Sequence, residues 1–556
     1  MKKYLLALLL LFAFPNALLA KGGAVTAADP RAAEAGREIL RKGGSAADAA
    51  IAMMLALSVV EPQSSGIGGG GFMVHNDGRT NAVATIDGRE VAPSSANPRL
   101  FLDASGTPMS YVDAFPGGRS IGVPGNIALA ARASARWGKL RWSALFQPAI
   151  RLAENGYQVT PRLADTLSRL KPLWSDFPAA QAIYWQEGRP KQVGDTVKNP
   201  ALAALLRNVA AKGPKAFYSG QNATAIIAAA GHSKRNPTII TRRDIAAYRA
   251  IDRAAVCTTY RQYRLCGMGP PSSGATTVFQ ILGMLERFDL KALGKDNPQS
   301  WHLIAEAMRL GYADREKYLG DPGFVAVPVA GLLDKSYIAS RSALISADRS
   351  LGTYEAGTPP GAQPRTAAIS GEVSGTTHFV AVDGTGDIAS MTSTVEGPFG
   401  SQLIANGYVL NNELTDFTFA PEKDGAPVAN RVEPGKRPLS SMSPTIVYGP
   451  DGKPVFAAGA AGGKTIIMQV AKILIAHLDW GLSAQEAIAA PNIYFAGDAV
   501  LVEPGTALVA MQSQLAGFGH TVVTGRMSSK ANAAERTANG WQGAADPRSE
   551  GVALGE

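Results

Sequence analysis

Thr376 sits directly after Gly375 and opens the segment Thr376-Thr377-His378-Phe379. A threonine hydroxyl is a weak nucleophile and needs a base beside it. If the chain is cut between Gly375 and Thr376, the freed α-amine lies on the same residue as the hydroxyl. Such an amine has an unperturbed pKa of about 7.7 to 8.0, close to where a general base works best. No histidine, metal or cofactor is then needed, which suits a chain with six scattered histidines and two cysteines, too few for a tetrahedral zinc site.

The residues after Thr376 alternate as a strand to Asp383. Gly384-Thr385-Gly386 supplies a turn, and Asp387 to Thr394 runs back. With Thr385 at the centre of the turn, Thr376 faces Thr394, whose hydroxyl would hold the nucleophile in place. Such a pair is also ordinary cross-strand packing, so it gains chemical meaning only from the cut. Acyl transfer further needs donors for an oxyanion. Gly462-Gly463 precede a helix expected to begin near Thr465, where backbone N–H groups are unpaired and lie at the positive end of the helix. Locally, the same glycines read equally well as a plain strand-to-helix turn.

Three other patterns compete. Gly66-Ile-Gly68-Gly-Gly-Gly71 matches the dinucleotide fingerprint, but here a helix precedes it and a strand follows, the reverse of what that fingerprint needs. Gly459-Ala-Ala-Gly-Gly463-Lys464-Thr465 falls one residue short of a phosphate loop, with Ala458 where the first glycine belongs. Gly118-Arg119-Ser120-Ile121-Gly122 matches a serine elbow, yet the loop Phe115-Pro116-Gly117 precedes it instead of a strand.

Positioning elements follow from periodicity. A helix-like stretch runs from Ala33 to Val60, with Ser45-Ala-Ala-Asp48 as a capping box. Amphipathic runs recur at 126–137, 144–155, 201–212, 222–230 and 301–319, and strand-like alternation at 70–75, 81–87 and 262–268. Glycines and prolines make 351–375 an exposed loop that ends at the presumed cut. Further on, 465–477 and 505–517 read as helices and 520–524 as a strand. The 556 residues are 46% apolar and 18% charged, an ordinary globular balance with ample core. The formal charge of +9 is spread along the chain, without the basic stripe that nucleic-acid binding wants.

Residues 1–20 read as a secretory signal: Lys2 and Lys3, an apolar run from Tyr4 to Phe14, and a small-residue site at Ala17-Leu18-Leu19-Ala20. The run is too short for a membrane span, so a periplasmic or secreted protein without a stable membrane anchor is expected. Cys257 and Cys266 would face each other across a hairpin turning at Arg261-Gln262. That leaves two readings, a disulfide suited to an oxidising compartment or two free buried thiols.

Taken in order, the motifs resemble the gamma-glutamyltransferase family. They are Thr376-Thr-His-Phe, Asn411-Asn-Glu-Leu-Thr-Asp-Phe417, Lys436-Arg-Pro-Leu-Ser-Ser-Met-Ser-Pro444 and Gly459-Ala-Ala-Gly-Gly463. Glu61-Pro-Gln-Ser-Ser-Gly66, Gly88-Arg-Glu-Val-Ala-Pro93, Pro270-Pro-Ser-Ser-Gly274, Tyr312-Ala-Asp-Arg315, Tyr318-Leu-Gly-Asp-Pro322 and Ala545-Asp-Pro-Arg548 look like the same family. The resemblance implies an α/β fold, the αββα sandwich of N-terminal-nucleophile hydrolases, in one interleaved domain. It implies autocleavage at Gly375–Thr376 into a large subunit, 21–375, and a small catalytic one, 376–556, that stay paired. It makes Thr376 the nucleophile, Thr394 its supporting hydroxyl, and Gly462 and Gly463 the oxyanion hole. It gives Arg89, with Ser440 and Ser441, the substrate's α-carboxylate. Glu413 and Asp416, with Glu396 close by, take the α-ammonium. The implied donors are glutathione or other γ-glutamyl compounds, and the acceptors water, amino acids or peptides.

Two departures stand out. Some family members carry asparagine at the place of Glu396 and glutamine at that of Glu413, so this pocket is more acidic. The stretch 418–439 is short and lacks tyrosine and tryptophan, which predicts an open lid that admits bulkier donors. Two alternatives remain: an acylase of the same fold acting on glutaryl β-lactams or poly-γ-glutamate, and an uncut, non-catalytic periplasmic binding protein.

Overall fold

The computed structural model describes residues 22–368, 371, 373, 375–525, 527 and 529–556. The secretory signal inferred for residues 1–20 lies outside them. Two antiparallel sheets stack at the centre. The first has seven strands, in the order Val552–Gly555, Ala24–Ala27, Thr377–Val382, Ile388–Thr394, Gly70–Asn76, Val83–Asp87 and Ile251–Arg253. The second has six, in the order Gly540–Ala545, Lys530–Thr537, Pro454–Ala461, Thr445–Tyr448, Tyr263–Gly267 and Val256–Tyr260.

The first sheet is covered on both faces, so its central strands Thr377–Val382, Ile388–Thr394 and Gly70–Asn76 are buried at every position, polar residues included. Phe379, Ala381, Ala389 and Met391 enter the core shared with the helices Pro30–Arg41 and Ala46–Val60. Val380, Val382 and Ile388 point the other way, into the core shared with the second sheet and the helices Gly274–Leu285, Pro298–Tyr318 and Thr465–Leu478. Each core draws on residues from both sides of position 375. The layers are therefore helices, sheet, sheet, helices: the αββα sandwich of N-terminal-nucleophile hydrolases.

The Ala33–Val60 stretch is two helices, not one. Its break falls at Gly43-Gly44, and Ser45 then caps the second helix by accepting the Asp48 amide while Asp48 accepts that of Ser45. The run expected at 505–517 is likewise two short helices, Ala507–Ala510 and Gln512–Gly517. Among the described residues of 351–375 there is no helix or strand. In the hairpin of the second sheet, Cys257 pairs with Cys266 and the two form a disulfide. No helix among the described residues is long and apolar enough to cross a membrane.

Candidate active site

Thr376 lies at the mouth of the central hairpin of the first sheet. Thr377 pairs with Ser393 and Val382 with Ile388, so the register carries Thr376 to Thr394. Their hydroxyl oxygens are 3.0 Å apart. Thr394 Oγ1 also accepts the Glu396 amide at 2.8 Å. The chain runs unbroken through Gly375 and Thr376, and Thr376 N–H donates to Ser64 O at 2.9 Å. Thr376 is buried and holds φ +68°. That left-handed conformation crowds a β-branched side chain and costs about 1–3 kcal/mol. Before it, only glycine fits, because a Cβ on Gly375 would overlap the Glu396 carbonyl.

A polar chain backs Thr376. Ser64 Oγ donates to Glu61 at 3.1 Å and accepts from Lys530 Nζ at 3.1 Å, and Lys530 also pairs with Glu61. Burial pulls the Lys530 amine down to about 8, against the opposing pull of Glu61. Asp546, from the Ala545-Asp-Pro-Arg548 motif, fixes the start of this strand by accepting Ser529 Oγ at 2.5 Å and Ala531 N–H at 3.3 Å. Lys530 was not among the residues singled out from the sequence. An isolated lysine in an alternating strand carries no signal of its own.

Gly462 and Gly463 lie between the strand Pro454–Ala461 and the helix Thr465–Leu478, with φ of 141° and 58°. Both are buried, and neither donates its amide to any described residue. Gly463 shares a narrow cavity of only about 10 Å³ with Thr376 and Thr394. Two unspent N–H groups at a helix start form the geometry of an anion site.

The cavity wall also includes Arg89, Glu396, Glu413, Asp416, Ser440 and Ser441. Of the ten catalytic and binding residues picked from sequence, Gly462 alone is missing from that wall, one position behind it. Arg89 is wholly buried. Its guanidinium pairs with Glu413 and with Asp416, the latter at 2.5 Å, and donates to Pro438 O at 3.1 Å and Leu439 O at 2.7 Å. Arginine and carboxylates, which sequence reasoning assigned to opposite ends of a zwitterion, thus bind each other. Glu90, also buried, lies 4.0 Å from Arg89. Three carboxyls crowd one guanidinium, with Glu396 on the same cavity wall. Burial, then Asp416, pushes Glu396 well above the usual carboxylate range, and burial with Glu90 and Glu396 does the same to Glu413 against the pull of Arg89.

The remaining motifs are scaffolding. Asn411 accepts the amides of Gly122 and Glu413 and donates to Gly68 O, while Asn412 donates to Glu396 and accepts the Gly397 amide at 2.9 Å. Tyr111 OH donates to Glu396 at 2.9 Å. Ser272 Oγ donates to Met442 O at 2.5 Å and Ser273 Oγ to Ser440 O at 2.7 Å. Arg315 reaches Ser273 and Ser441 at 2.8 and 2.9 Å. The Pro270–Gly274 and Tyr312–Arg315 motifs therefore aim the serine pair. Ser120, the rival nucleophile, is buried and spends its hydroxyl on the carbonyls of Phe115 and Gly117. In 418–439 a small exposed hairpin pairs Glu422–Lys423 with Ala426–Pro427, and no residue of this stretch lines the cavity.

The family model for gamma-glutamyltranspeptidase matches residues 32–556. The chain belongs to the gamma-glutamyltranspeptidase family. A Bacillus subtilis (strain 168) glutathione hydrolase proenzyme is 38% identical over 486 residues, 85% of this chain and 81% of that protein. The acylase ACY 1 proenzyme of Pseudomonas sp. (strain SE83) is 34% identical over 511 residues, 90% of this chain and 87% of that protein. Among solved structures, a cephalosporin acylase from Bacillus halodurans superposes with a TM-score of 0.85 and 28% identity over 96% of both chains. This member of the gamma-glutamyltranspeptidase family is an enzyme with the N-terminal-nucleophile hydrolase fold. Its relatives include both hydrolases and acylases.

Proposed function

We propose that this chain cuts itself between Gly375 and Thr376 and then uses Thr376 to hydrolyse or transfer γ-glutamyl groups, glutathione among them, outside the cytoplasm. The observation that carries the reading is Thr376 itself. It is strained at φ +68°, bonded at 3.0 Å to Thr394, and shares one cavity with Gly463, Arg89 and the carboxylates.

In the first reaction Thr376 Oγ bonds to the Gly375 carbonyl carbon, the Gly375–Thr376 C–N bond breaks, and the hydroxyl proton passes to the leaving nitrogen. Water then hydrolyses the ester, freeing the Gly375 carboxylate and the Thr376 hydroxyl and amine. Release of the left-handed strain favours the cut. Val373, whose amide donates to Glu396 at 3.2 Å, occupies the pocket in the uncut chain and must withdraw. Residues 21–375 and 376–556 stay paired, because Ala24–Ala27 is hydrogen-bonded between Thr377–Val382 and Val552–Gly555.

In turnover the Thr376 amine accepts the hydroxyl proton as Oγ attacks the γ-amide carbonyl. The amides of Gly462 and Gly463 receive the oxyanion, and as the C–N bond breaks the Thr376 ammonium returns its proton to the departing amine. Water or an amino-acid amine repeats the sequence on the glutamyl ester. Arg89 meets the α-carboxylate, and the carboxylates meet the α-ammonium. End-group sequencing of the purified fragments is the test. A small piece that begins Thr-Thr-His-Phe, absent in Thr376→Ala, is expected. An intact chain with full activity would sink the reading.

A second reading has one specific observation behind it. Arg89 is already saturated by Glu413, Asp416 and two carbonyls, so a donor lacking the ammonium, a glutaryl amide, would leave those pairs intact. The likeness to acylases supports it. A γ-glutamyl anilide measured beside its glutaryl analogue separates the two: the first reading expects the glutaryl compound to be much the poorer substrate.

A further inference from the structure

On the far side of the second core, the helix Pro298–Tyr318 carries His302 and Glu306 one turn apart on the same face. His520 arrives from the turn after the helix Gln512–Gly517. All three are buried, in a region the proposed reaction does not use. His302 Nε2 lies 3.0 Å from Ser346 O, and a carbonyl only accepts, so this nitrogen carries the proton. His302 Nδ1 therefore keeps its lone pair, and it faces His520 Nε2 at 2.7 Å. Glu306 Oε1 is 3.9 Å from the same His520 nitrogen. The three ligand atoms all fall within 4.8 Å of one another.

We propose that His302, Glu306 and His520 form a binding site for one zinc-class divalent ion, with water as the fourth ligand.

Metal–nitrogen distances of about 2.0–2.1 Å in a tetrahedron set ligand atoms roughly 3.3 Å apart. One gap here is about half an ångström short and another about half an ångström long, so a small swing of the His520 ring evens them. Two imidazoles with one carboxylate suit zinc, cobalt or nickel rather than calcium or magnesium. The outer shell is in place as well. Ser346 O fixes the His302 tautomer, the Leu351 amide donates to Glu306 at 2.8 Å, and Tyr354 OH donates to Glu306. Such braces orient ligands and tune their basicity. Arg309, one turn further along the helix from Glu306, is directed elsewhere: it donates to Asp498 O at 2.7 Å and stacks on Tyr354.

His302, Glu306 and their braces precede position 375, and His520 follows it. The ion would therefore staple the two pieces of the mature enzyme at a point remote from Thr376. That staple rests on the proposed cut, whereas the site itself does not.

Cobalt titration of the chelator-treated full-length protein is the test, read by visible ligand-field absorption. One equivalent per chain is expected, displaced by zinc. Glu306→Gln, which can still bond Leu351 and Tyr354, should weaken uptake at least tenfold, and His520→Gln likewise. Hydrolytic activity, measured in parallel, should hold in both, so that failure of the site and failure of the proposed reaction are told apart. A zinc-edge anomalous peak between the three side chains in wild-type crystals gives the same answer without any variant. No uptake, undiminished uptake by the folded variants, or an anomalous peak elsewhere would overturn the proposal.

Discussion

The nucleophile and the pocket that would recognise its substrate are built on opposite plans. Thr376 and Thr394 lie in one hairpin, eighteen residues apart, and are matched by strand register alone. The proposed recognition groups come from Arg89, from Glu396, from the turn Glu413–Asp416 and from Ser440–Ser441, and Arg89 is already paired with Glu413 and Asp416 before any substrate arrives. The first design is local and stiff. The second is a balance of buried charges, in which removing any member exposes the rest. A fault in the hairpin should therefore stop chemistry with little loss of fold, while a fault in the pocket should disturb both.

The largest effect is expected for Thr376→Ala. Self-cleavage and turnover should both vanish, a loss on the order of 10³-fold or more, with a single band close to the 58.0 kDa chain less its signal on a denaturing gel. Melting should change little, because strain is relieved as one hydrogen bond is lost. Asp416→Ala tests the opposite limb. Arg89 keeps Glu413 but loses a buried charge-assisted hydrogen bond, which should cost about 1.5–3 kcal/mol of stability, read as a lower melting temperature, together with a raised KM. If Asp416→Ala melts like wild type, the charge-balance account fails.

Thr394→Val removes the 3.0 Å bond and the acceptor for the Glu396 amide. Each bond is worth about 1 kcal/mol, so kcat should drop roughly 10- to 100-fold with KM nearly unchanged. The pH response sharpens the same contrast. Glu396 and Glu413 are held above the usual carboxylate range, and only their ionised forms attract an ammonium. KM for a γ-glutamyl anilide should therefore rise as pH falls through the raised values, and Glu396→Gln should flatten that rise. A glutaryl anilide should show no such trend. The smallest effect is expected from replacing 422–427 with a short glycine linker. This exposed hairpin does not line the cavity, while Asn430 below it still ties Asp416 O to Leu439 N. Stability should move by less than about 0.5 kcal/mol, and kcat/KM by less than about threefold.

Much of this was legible in the residues. The hairpin register followed from Gly384-Thr385-Gly386 and the period of two, and the Cys257–Cys266 opposition from Arg261-Gln262. The helix-like stretch Ala33–Val60 proved to be two helices, the second starting at the capping box read at Ser45–Asp48. That Arg89 and Glu413 pair with each other was not legible, because sequence order says nothing about which buried charges will touch. Lys530 and Tyr111 carried no local signal at all, and Glu90 stood out only as part of the Gly88–Pro93 motif.

By itself the sequence determined the elements and the local pairing: alternation, turn glycines and capping residues act over a few positions and fix strand, helix and register where they stand. Only the tertiary structure decided the charge balance of the pocket, the polar chain behind Thr376 and the His302–Glu306–His520 cluster. Those depend on desolvation and on distances between segments hundreds of residues apart, quantities that exist only once the two sheets have closed on each other.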